Sequence, residues 1–195
     1  MNKKSSIPSR PLADVMRPKT LEDVIGQDHL FGASGALSII AKSKNVPSMI
    51  LWGPPGVGKT TIAKALAQVA DARFVTMSAI NSGASDIRKV VEEAKKCAIG
   101  NDETSSGGLF EEETKSAKTI LMIDEIHHFN KTQQDLFLPF IEDGTIILIG
   151  TTTENPSFQL NAALLSRCKV LTLKTLDEEA LENILQSAEK SLSQT

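Results

Sequence analysis

The sequence predicts an α/β fold in which a parallel five-stranded sheet carries helices on both of its faces. Short, almost continuously apolar runs recur along the chain, and such runs are typical of strands that are buried on both sides. Segments with helical spacing of apolar residues alternate with these runs. A strand–helix alternation of this kind implies parallel strands that are joined by right-handed crossovers.

Five segments are predicted to be strands and two longer ones to be core helices. The strands, in chain order, are SMILW (48–52), RFVTM (73–77), TILMID (119–124), TIILIG (145–150) and KVLTL (169–173). The helices are TTIAKALAQVA (60–70) and ASDIRKVVEEAKKCA (84–98). The apolar face of the second helix is predicted to comprise Ile87, Val90, Val91 and Ala94.

The chain divides into a tail, a core and a final helical segment. Residues 1–16 begin with a basic, Ser/Pro-rich stretch, which predicts a flexible tail. The predicted core, 17–174, is interrupted at 99–118 by polar, acidic and Gly/Ser-rich sequence that we expect to be a mobile surface insertion. In the last segment, 175–195, Thr175 and Glu178 fit a capping box.

An apolar stripe at helical spacing follows in this last segment. It consists of Leu181, Ile184, Leu185, Ala188 and Leu192. A stripe of this kind needs a surface to pack against. Either the helix folds back on the core or its partner helices lie beyond Thr195, and we favour the second arrangement.

Composition and charge restrict the class of protein. The 195 residues are 41% apolar, which suffices for one packed α/β domain. The net charge of −3 gives no general basic footprint for nucleic acid, although one basic face could still bind DNA. Cys97 and Cys168 lack disulfide or metal-site spacing, which favours a reducing intracellular compartment. The chain shows neither a membrane-spanning apolar run nor a secretory signal at its start.

The loop GPPGVGKT (53–60) carries the first chemical signal. It matches the phosphate-binding pattern G-x-x-x-x-G-K-[ST], and it lies between an apolar run and a helical pattern, as that motif requires. Its glycines allow backbone N–H groups to point at phosphate oxygens, and the following helix N-terminus favours negative charge. Lys59 is expected to reach the β- and γ-phosphates, and Thr60 to place its hydroxyl on Mg²⁺.

Two carboxylates supply the second chemical signal. Asp124 ends the buried run ILMID, so it should lie at the sheet edge where α/β proteins bind their ligands. There it can hold Mg²⁺, usually through water. Glu125 follows directly and can orient and polarise an attacking water. Together with the phosphate-binding loop, this pair predicts hydrolysis of a nucleoside triphosphate.

Two histidines beside these carboxylates raise the alternative of a transition-metal site. His127 and His128 are adjacent, whereas zinc ligands on a helix favour a spacing of three or four residues. No third His or Cys is near in sequence. The preferred interpretation is that one histidine packs under the sheet edge while the other faces solvent or a partner.

Polar residues at two further strand ends stay open on sequence alone. Thr152 or Thr153 follows TIILIG and could face the γ-phosphate or the attacking water, or belong to a simple polar loop. Arg167 precedes the last strand and could be a surface arginine or one that contacts phosphate.

Taken together, these motifs resemble the AAA+ ATPases. RPKTLEDVIGQDHL (17–30) is similar to the N-terminal box of their clamp-loader and RuvB-like clade. More specifically, SMILWGPPGVGKTT, IDEIHHFNKTQQDLFLPFIEDGTI and TTENPSFQLNAALLSRC resemble the replication–recombination ATPases called RarA or MgsA in bacteria, whose eukaryotic counterpart is the Werner-helicase-interacting ATPase. The resemblance covers about residues 11–190 apart from the insertion.

The resemblance implies a role for individual residues. Val24, Ile25 and Gly26 would line an adenine pocket, and Thr153 would be the sensor residue near the γ-phosphate. Arg167 would be an arginine finger that acts on ATP bound by the neighbouring subunit. The phosphate-binding residues would be Gly53, Pro54, Pro55, Gly56, Val57, Gly58, Lys59, Thr60 and Thr61.

The resemblance also implies an activity and partners. The family hydrolyses ATP with Mg²⁺ at stalled or damaged replication forks, is stimulated by DNA, and contacts single-stranded-DNA-binding protein and replisome components. It forms homo-oligomers, and an α-helical lid should begin near residue 175, of which only the first helix is present here. A lid-less core that stays monomeric is expected to hydrolyse almost no ATP. The protein would work inside the cell, in the bacterial cytoplasm or nucleoid or in the eukaryotic nucleus.

Two positions depart from the family pattern, and two other functions stay open. The family usually has Arg where His128 stands and His where Phe140 stands, so a DNA or inter-subunit contact could differ while the ATP site is intact. One alternative is a nucleotide-gated module that recruits partners. The other is a different motor of the same class, such as a branch-migration motor or a protein unfoldase.

Overall fold

A computed structural model describes residues 17–18, 20–32, 34–99 and 118–193 of the chain. Its strands are β1 (Met49–Trp52), β2 (Arg73–Ser78), β3 (Thr119–Asp124), β4 (Ile146–Thr152) and β5 (Lys169–Thr172). The helices are α1 (Asp28–Phe31), α2 (Ala36–Ser43), α3 (Lys59–Val69), α4 (Ala84–Ile99), α5 (Lys131–Asp135), α6 (Leu138–Glu142), α7 (Pro156–Gln159), α8 (Ala162–Leu165) and α9 (Glu178–Ser193). One turn of 3₁₀ helix, Ile126–His128, follows β3.

The five strands form a single parallel sheet in the order β2-β3-β4-β1-β5. β3 is buried over its first five residues, which explains why its sequence shows no alternation of apolar and polar positions. The predicted fold class and all five predicted strands are confirmed. β4 continues to Thr152, two residues past its predicted end, because Thr151 and Thr152 pair with Leu51 and Trp52 of β1.

Helices cover both faces of the sheet, as predicted. Successive strand residues point to opposite faces, so β1 contributes to two separate cores. On one face, Met49 and Leu51 belong to a cluster with Leu37 of α2 and Ile62 and Leu66 of α3. On the other face the cluster comprises Ile50, Ile87, Ile126, Phe137 and Leu164, among others. The 3₁₀ turn after β3 is thereby anchored in the second core.

Gly150 of β4 lets this turn approach the sheet. A Cβ atom at this position would lie 2.8 Å from Cδ1 of Ile50 and 3.0 Å from Cδ1 of Ile126. Both isoleucines are fully buried, so neither side chain can move out into solvent. The close contact between β4 and the 3₁₀ turn therefore depends on the absence of a side chain at residue 150.

The last helix begins two residues later than the predicted capping box requires. Its first residue is Glu178, and the carboxylate of Asp177 accepts a hydrogen bond of 2.9 Å from the N–H of Ala180. The predicted capping box of Thr175 and Glu178 is therefore wrong, because Asp177 occupies the N-cap position.

The apolar stripe of this helix is largely exposed. Ala180 is buried at the start of the helix, but Leu181 and Leu185 expose 48% and 63% of their surface. The stripe thus does not pack on the sheet at these two positions, and the location of its partner surface stays a prediction. The side chain of Leu192 lies outside the described residues.

Some of the predicted organisation falls outside the described residues. The predicted tail at 1–16 and most of the predicted insertion at 99–118 are among them. The limits of tail, core and lid therefore remain predictions. Among the described helices, none has both the length and the apolar character that crossing a membrane would need.

Candidate functional site

The phosphate-binding loop connects β1 to α3 at the carboxyl edge of the sheet. Gly56 and Gly58 have φ angles of +78° and +96°, and a Cβ atom at either position would meet nothing within 4 Å. Glycine is therefore required there by the left-handed backbone and not by crowding. Gly58 is also the residue before the first turn of α3. The N–H groups of that turn have no partners within their own helix, so they can serve a phosphate.

Lys59 is folded over this loop. Lys59 exposes only 8% of its surface. Its Nζ donates hydrogen bonds to Gly53 O at 2.7 Å and to Pro54 O at 2.8 Å. Burial lowers the pKa of Lys59, while the nearby charges of Glu125 and Asp124 raise it. The ammonium group is thus held by carbonyl oxygens of its own loop and lies within electrostatic range of the two carboxylates.

The two carboxylate residues lie at the end of β3, and one threonine of β4 contacts the Asp124 carboxylate and the Glu125 backbone. Thr151 Oγ1 donates a hydrogen bond of 2.6 Å to Asp124 Oδ1 and accepts one of 3.3 Å from the N–H of Glu125. Thr151 is fully buried whereas Asp124 is exposed, so this link joins the interior of the sheet to its accessible edge. Glu125 has φ +52° and ψ +51°, a left-handed conformation that non-glycine residues rarely adopt.

The carboxylate of Glu125 has an unusual environment. Its Oε2 atom is buried and has no hydrogen-bond partner among the described residues, although the side chain as a whole is 26% exposed. His127 Nδ1 is 3.2 Å from Oε2, but the pair lacks hydrogen-bond geometry, so the oxygen is unsatisfied. A buried acceptor without a donor is suited to bind an additional hydrogen-bonding group such as a water molecule.

The two threonines that end β4 differ in their surroundings. Thr152 is fully buried, and its Oγ1 lies 2.9 Å from His127 Nδ1 and accepts a hydrogen bond of 3.0 Å from Glu154 N. Thr153 is exposed and directly follows the strand. Of the two sensor candidates, Thr152 is thus occupied by neighbours, and Thr153 has the accessible side chain.

Arg167 lies on the surface between α8 and β5. Its Nε donates a 2.5 Å hydrogen bond to Glu142 Oε1, its Nη2 forms an ion pair with the same oxygen, and its Nη1 donates to Ala163 O at 2.7 Å. None of these partners belongs to the phosphate-binding loop. The structure therefore does not bring Arg167 to the site of its own chain, as a role in a neighbouring subunit requires.

The predicted adenine residues line a cavity next to the start of the last helix. Val24, Ile25 and Gly26 form one wall, and residues 174–177 with Ala180 form another, enclosing about 490 Å³. Gln27 is buried and bridges the two walls. Its Nε2 donates to Lys174 O at 2.7 Å, and its Oε1 accepts from Lys174 N at 2.8 Å. The phosphate-binding loop is not part of this lining.

The histidines pack as the sequence suggested. Their ring centroids are 4.3 Å apart, the His127 side chain is only 14% exposed, and His128 is exposed. Among the described residues, no group of three His, Cys, Asp or Glu side chains has the arrangement of a metal site.

Comparison with known proteins identifies the family. The model of the ATPase family associated with various cellular activities (AAA) matches residues 49–176. The chain belongs to the AAA family of ATPases. This range contains the phosphate-binding loop, both carboxylates and Arg167.

Relatives of this AAA chain include proteins whose names refer to replication and recombination. The chain is 47% identical over 178 residues to Replication-associated recombination protein A of Haemophilus influenzae, and the aligned region covers 91% of this chain and 36% of the relative. Identity to the protein of the same name from Coxiella burnetii is 51%, with 91% and 37% covered. The ATPase WRNIP1 of Dictyostelium discoideum is 46% identical, with 90% and 18% covered. The chain thus spans little more than a third of the bacterial relatives, and the predicted resemblance is confirmed.

Solved structures agree with this assignment. The Holliday junction branch migration motor RuvB of Thermotoga maritima superposes with a TM-score of 0.66 at 26% sequence identity, covering 91% of this chain and 55% of that one. The AAA fold implies nucleotide binding. In this AAA chain, the loop at 53–60 and the carboxylates at the end of β3 lie at the same edge of the sheet.

Sequence reasoning missed two residues of the AAA site. Thr151, which binds both carboxylate residues, is left out of the predicted strand, which ends at Gly150, because a run of three threonines carries no apolar signal. Gln27 was not singled out because its partner, Lys174, is 147 positions away. The only sequence signal for Gln27 is its place directly after the predicted adenine residues.

Proposed function

We propose that this chain is the ATPase core of a DNA-associated enzyme that hydrolyses ATP in replication, recombination or repair. The observation that carries the proposal is the buried, unsatisfied Oε2 of Glu125 at the end of β3, on the sheet edge that also bears the phosphate-binding loop. Such an acceptor is what an attacking water would need. The names of the relatives support the link to replication and recombination.

Residues of the loop at 53–61 hold the triphosphate. The backbone N–H groups and the helix N-terminus surround the phosphate oxygens, and Lys59 exchanges its two carbonyl partners for the β- and γ-phosphates. Thr60 and Asp124 offer a hydroxyl and a carboxylate, hard oxygen ligands that suit Mg²⁺. Mg²⁺ bound there would neutralise charge that develops on the phosphates. Thr151 fixes the Asp124 carboxylate through Oδ1.

The hydrolytic step needs a water that is held in line with the γ-phosphate. Glu125 orients and polarises that water through its unsatisfied oxygen, and Lys59 stabilises charge on the phosphate. Thr153, exposed beyond β4, detects the γ-phosphate. Arg167 leaves Glu142 and completes the site of the next subunit in a homo-oligomer, where it stabilises the transition-state charge. Val24, Ile25 and Gly26 receive the adenine in the adjoining cavity.

The proposed partners follow from the relatives and the family resemblance. They are forked, gapped or single-stranded DNA, single-stranded-DNA-binding protein and replisome components. A protein with these partners works where chromosomal DNA is, in the bacterial nucleoid or the eukaryotic nucleus.

The decisive experiment measures ATP hydrolysis by the full-length protein with and without forked or gapped DNA. Glu125→Gln should still bind ATP but lose turnover by at least about a hundredfold, because a general base typically contributes that much. Glu154→Gln is the matched control, since Glu154 is an exposed acid in the neighbouring turn. Unchanged kcat for Glu125→Gln would refute the catalytic assignment, and a rate that DNA does not alter would refute the DNA link.

A branch-migration motor is the second candidate. It is favoured by the structural match to RuvB, which is named as such a motor. Movement of a synthetic Holliday junction by the full-length protein and ATP would support it. Absence of movement, alongside ATP hydrolysis that forked DNA stimulates, would favour the first proposal.

A further inference from the structure

We infer that His127 is a positioning residue that links the carboxylate of Glu125 to the end of β4. The inference rests on the proposed role of Glu125 and goes beyond it. Nδ1 of His127 lies 2.9 Å from Thr152 Oγ1 and 3.2 Å from Glu125 Oε2. One ring nitrogen thus faces both the proposed general base and the strand that leads to the proposed sensor.

The local fold fixes the imidazole in this place. Ile126 is fully buried against Gly150, where only a glycine leaves room for it. The 3₁₀ turn is closed by a hydrogen bond of 3.0 Å from His128 N to Glu125 O. With the neighbouring residue anchored and the ring only 14% exposed, His127 has little freedom to turn elsewhere. The contact is therefore a product of the packing of this turn.

The hydrogen-bond partners of Thr152 determine which acceptors are left for Nδ1 of His127. Thr152 Oγ1 accepts from Glu154 N at 3.0 Å and lies 3.3 Å from Glu154 O, to which it can donate. The hydroxyl proton then has a partner, and an oxygen lone pair is left for His127. A proton on Nδ1 can be donated to Thr152 Oγ1, while Glu125 Oε2, 3.2 Å from Nδ1, is a second acceptor that lies out of hydrogen-bond alignment. A small movement of Thr152 would shift this N–H toward the carboxylate.

This arrangement connects the proposed sensing of the γ-phosphate by Thr153 to the alignment of Glu125 through Thr152 and His127. Thr153 directly follows Thr152, so contact of Thr153 with a γ-phosphate displaces the acceptor of His127. The imidazole transmits that displacement to Glu125 and sets the direction of its carboxylate. The effect concerns the alignment of the base and not the binding of ATP, so it should appear in kcat and leave KM almost unchanged.

The test compares two replacements of the same ring in the full-length protein. His127→Phe keeps a planar ring but removes Nδ1, whereas His127→Asn keeps a polar atom near the Nδ1 position. Phe should lower kcat by roughly ten- to a hundredfold, the effect of losing one hydrogen bond to a charged group, with KM for ATP changed less than about threefold. Asn should recover most of that loss. A side chain that only fills space would give the opposite order.

A second variant keeps the test decisive if the aromatic replacement disturbs folding. Thr152→Val removes the hydroxyl and nearly conserves volume, so it should lower kcat similarly and leave KM unchanged. Combined with His127→Phe, it should add little, because the two residues act through one contact. His128→Asn serves as the control for the exposed neighbouring ring, with kcat measured in the absence of DNA.

The outcomes separate this inference from the proposed function. If Glu125→Gln abolishes turnover while His127→Phe and Thr152→Val keep kcat within twofold of the parent, the linkage is refuted and the proposed function stands. If Asn is as slow as Phe, the positioning role is likewise refuted. If Glu125→Gln keeps full turnover, the proposed function fails, and any effect of His127 cannot act through that base.

Discussion

Replacing Gly150 by alanine should destabilise the protein and disturb the 3₁₀ turn that follows β3. The new Cβ atom would lie 2.8 Å from Ile50 Cδ1 and 3.0 and 3.1 Å from Cδ1 and Cγ2 of Ile126. Both isoleucines are fully buried, so the strain must move the 3₁₀ turn or the sheet. Overpacking of this kind costs about 1–3 kcal/mol. For a chain of this size, Tm should fall by about 2–12 °C.

Thermal melting followed by circular dichroism measures this effect. Gly83→Ala is the matched control, because its Cβ would meet only Asp86 Oδ2, at 3.9 Å, and its Tm should change by less than about 2 °C. Ile126→Val removes one of the crowded methyl groups, so Gly150→Ala should cost less in that background. Turnover of the full-length variant should fall further than its folded fraction, because Glu125 is next to the displaced residue. A Tm within 1 °C of the parent would refute the reasoning.

Three further predictions test other parts of the structure. Arg167→Ala should lower kcat by about a thousandfold. Mixing this variant with Glu125→Gln subunits should restore activity, because the intact Arg167 of one subunit then meets the intact Glu125 of another. No recovery would contradict action in trans. Asp177→Ala should cost about 1 kcal/mol in denaturant melts, whereas Thr175→Ala should cost less than about 0.5 kcal/mol; equal losses would contradict the cap at Asp177. Burial raises the pKa of Cys168 to about 12, so iodoacetamide at pH 8.5 should label it only after unfolding; rapid labelling of the native protein would contradict its burial.

Sequence signals located the strands and the loop because those signals are local. β3 is buried on both sides and therefore reads as a continuous apolar run. The loop at 53–60 is recognisable because its glycines answer a local backbone requirement, seen in the positive φ angles of Gly56 and Gly58. Asp124 and Glu125 were found for a related reason, since they directly follow a run that has to end at the sheet edge.

Features that depend on distant partners could not be predicted in this way. The sequence TLDEEA contains two possible caps, Thr175 with Glu178 and Asp177 alone, and the helix begins at the second. Leu176, one residue earlier, packs where a Cβ of Gly26 would lie only 2.7 Å from its Cδ2. We attribute the later helix start to this contact, because it holds the preceding chain against the N-terminal segment. No pattern within the last segment could reveal it.

The backbone geometry at Glu125, the proposed general base, also depends on distant partners, and these belong to β4 more than to the phosphate-binding loop. The left-handed backbone of Glu125 costs about 1–2 kcal/mol for a non-glycine residue, so other contacts must maintain it. Those contacts come from β4: Thr151 accepts the Glu125 N–H, and Gly150 leaves space for Ile126. His127 Nδ1, which is 2.9 Å from Thr152 Oγ1, also lies 3.2 Å from Oε2 of the Glu125 carboxylate. Substitutions in β4 should therefore impair hydrolysis while ATP binding, which depends on residues 53–61, is retained.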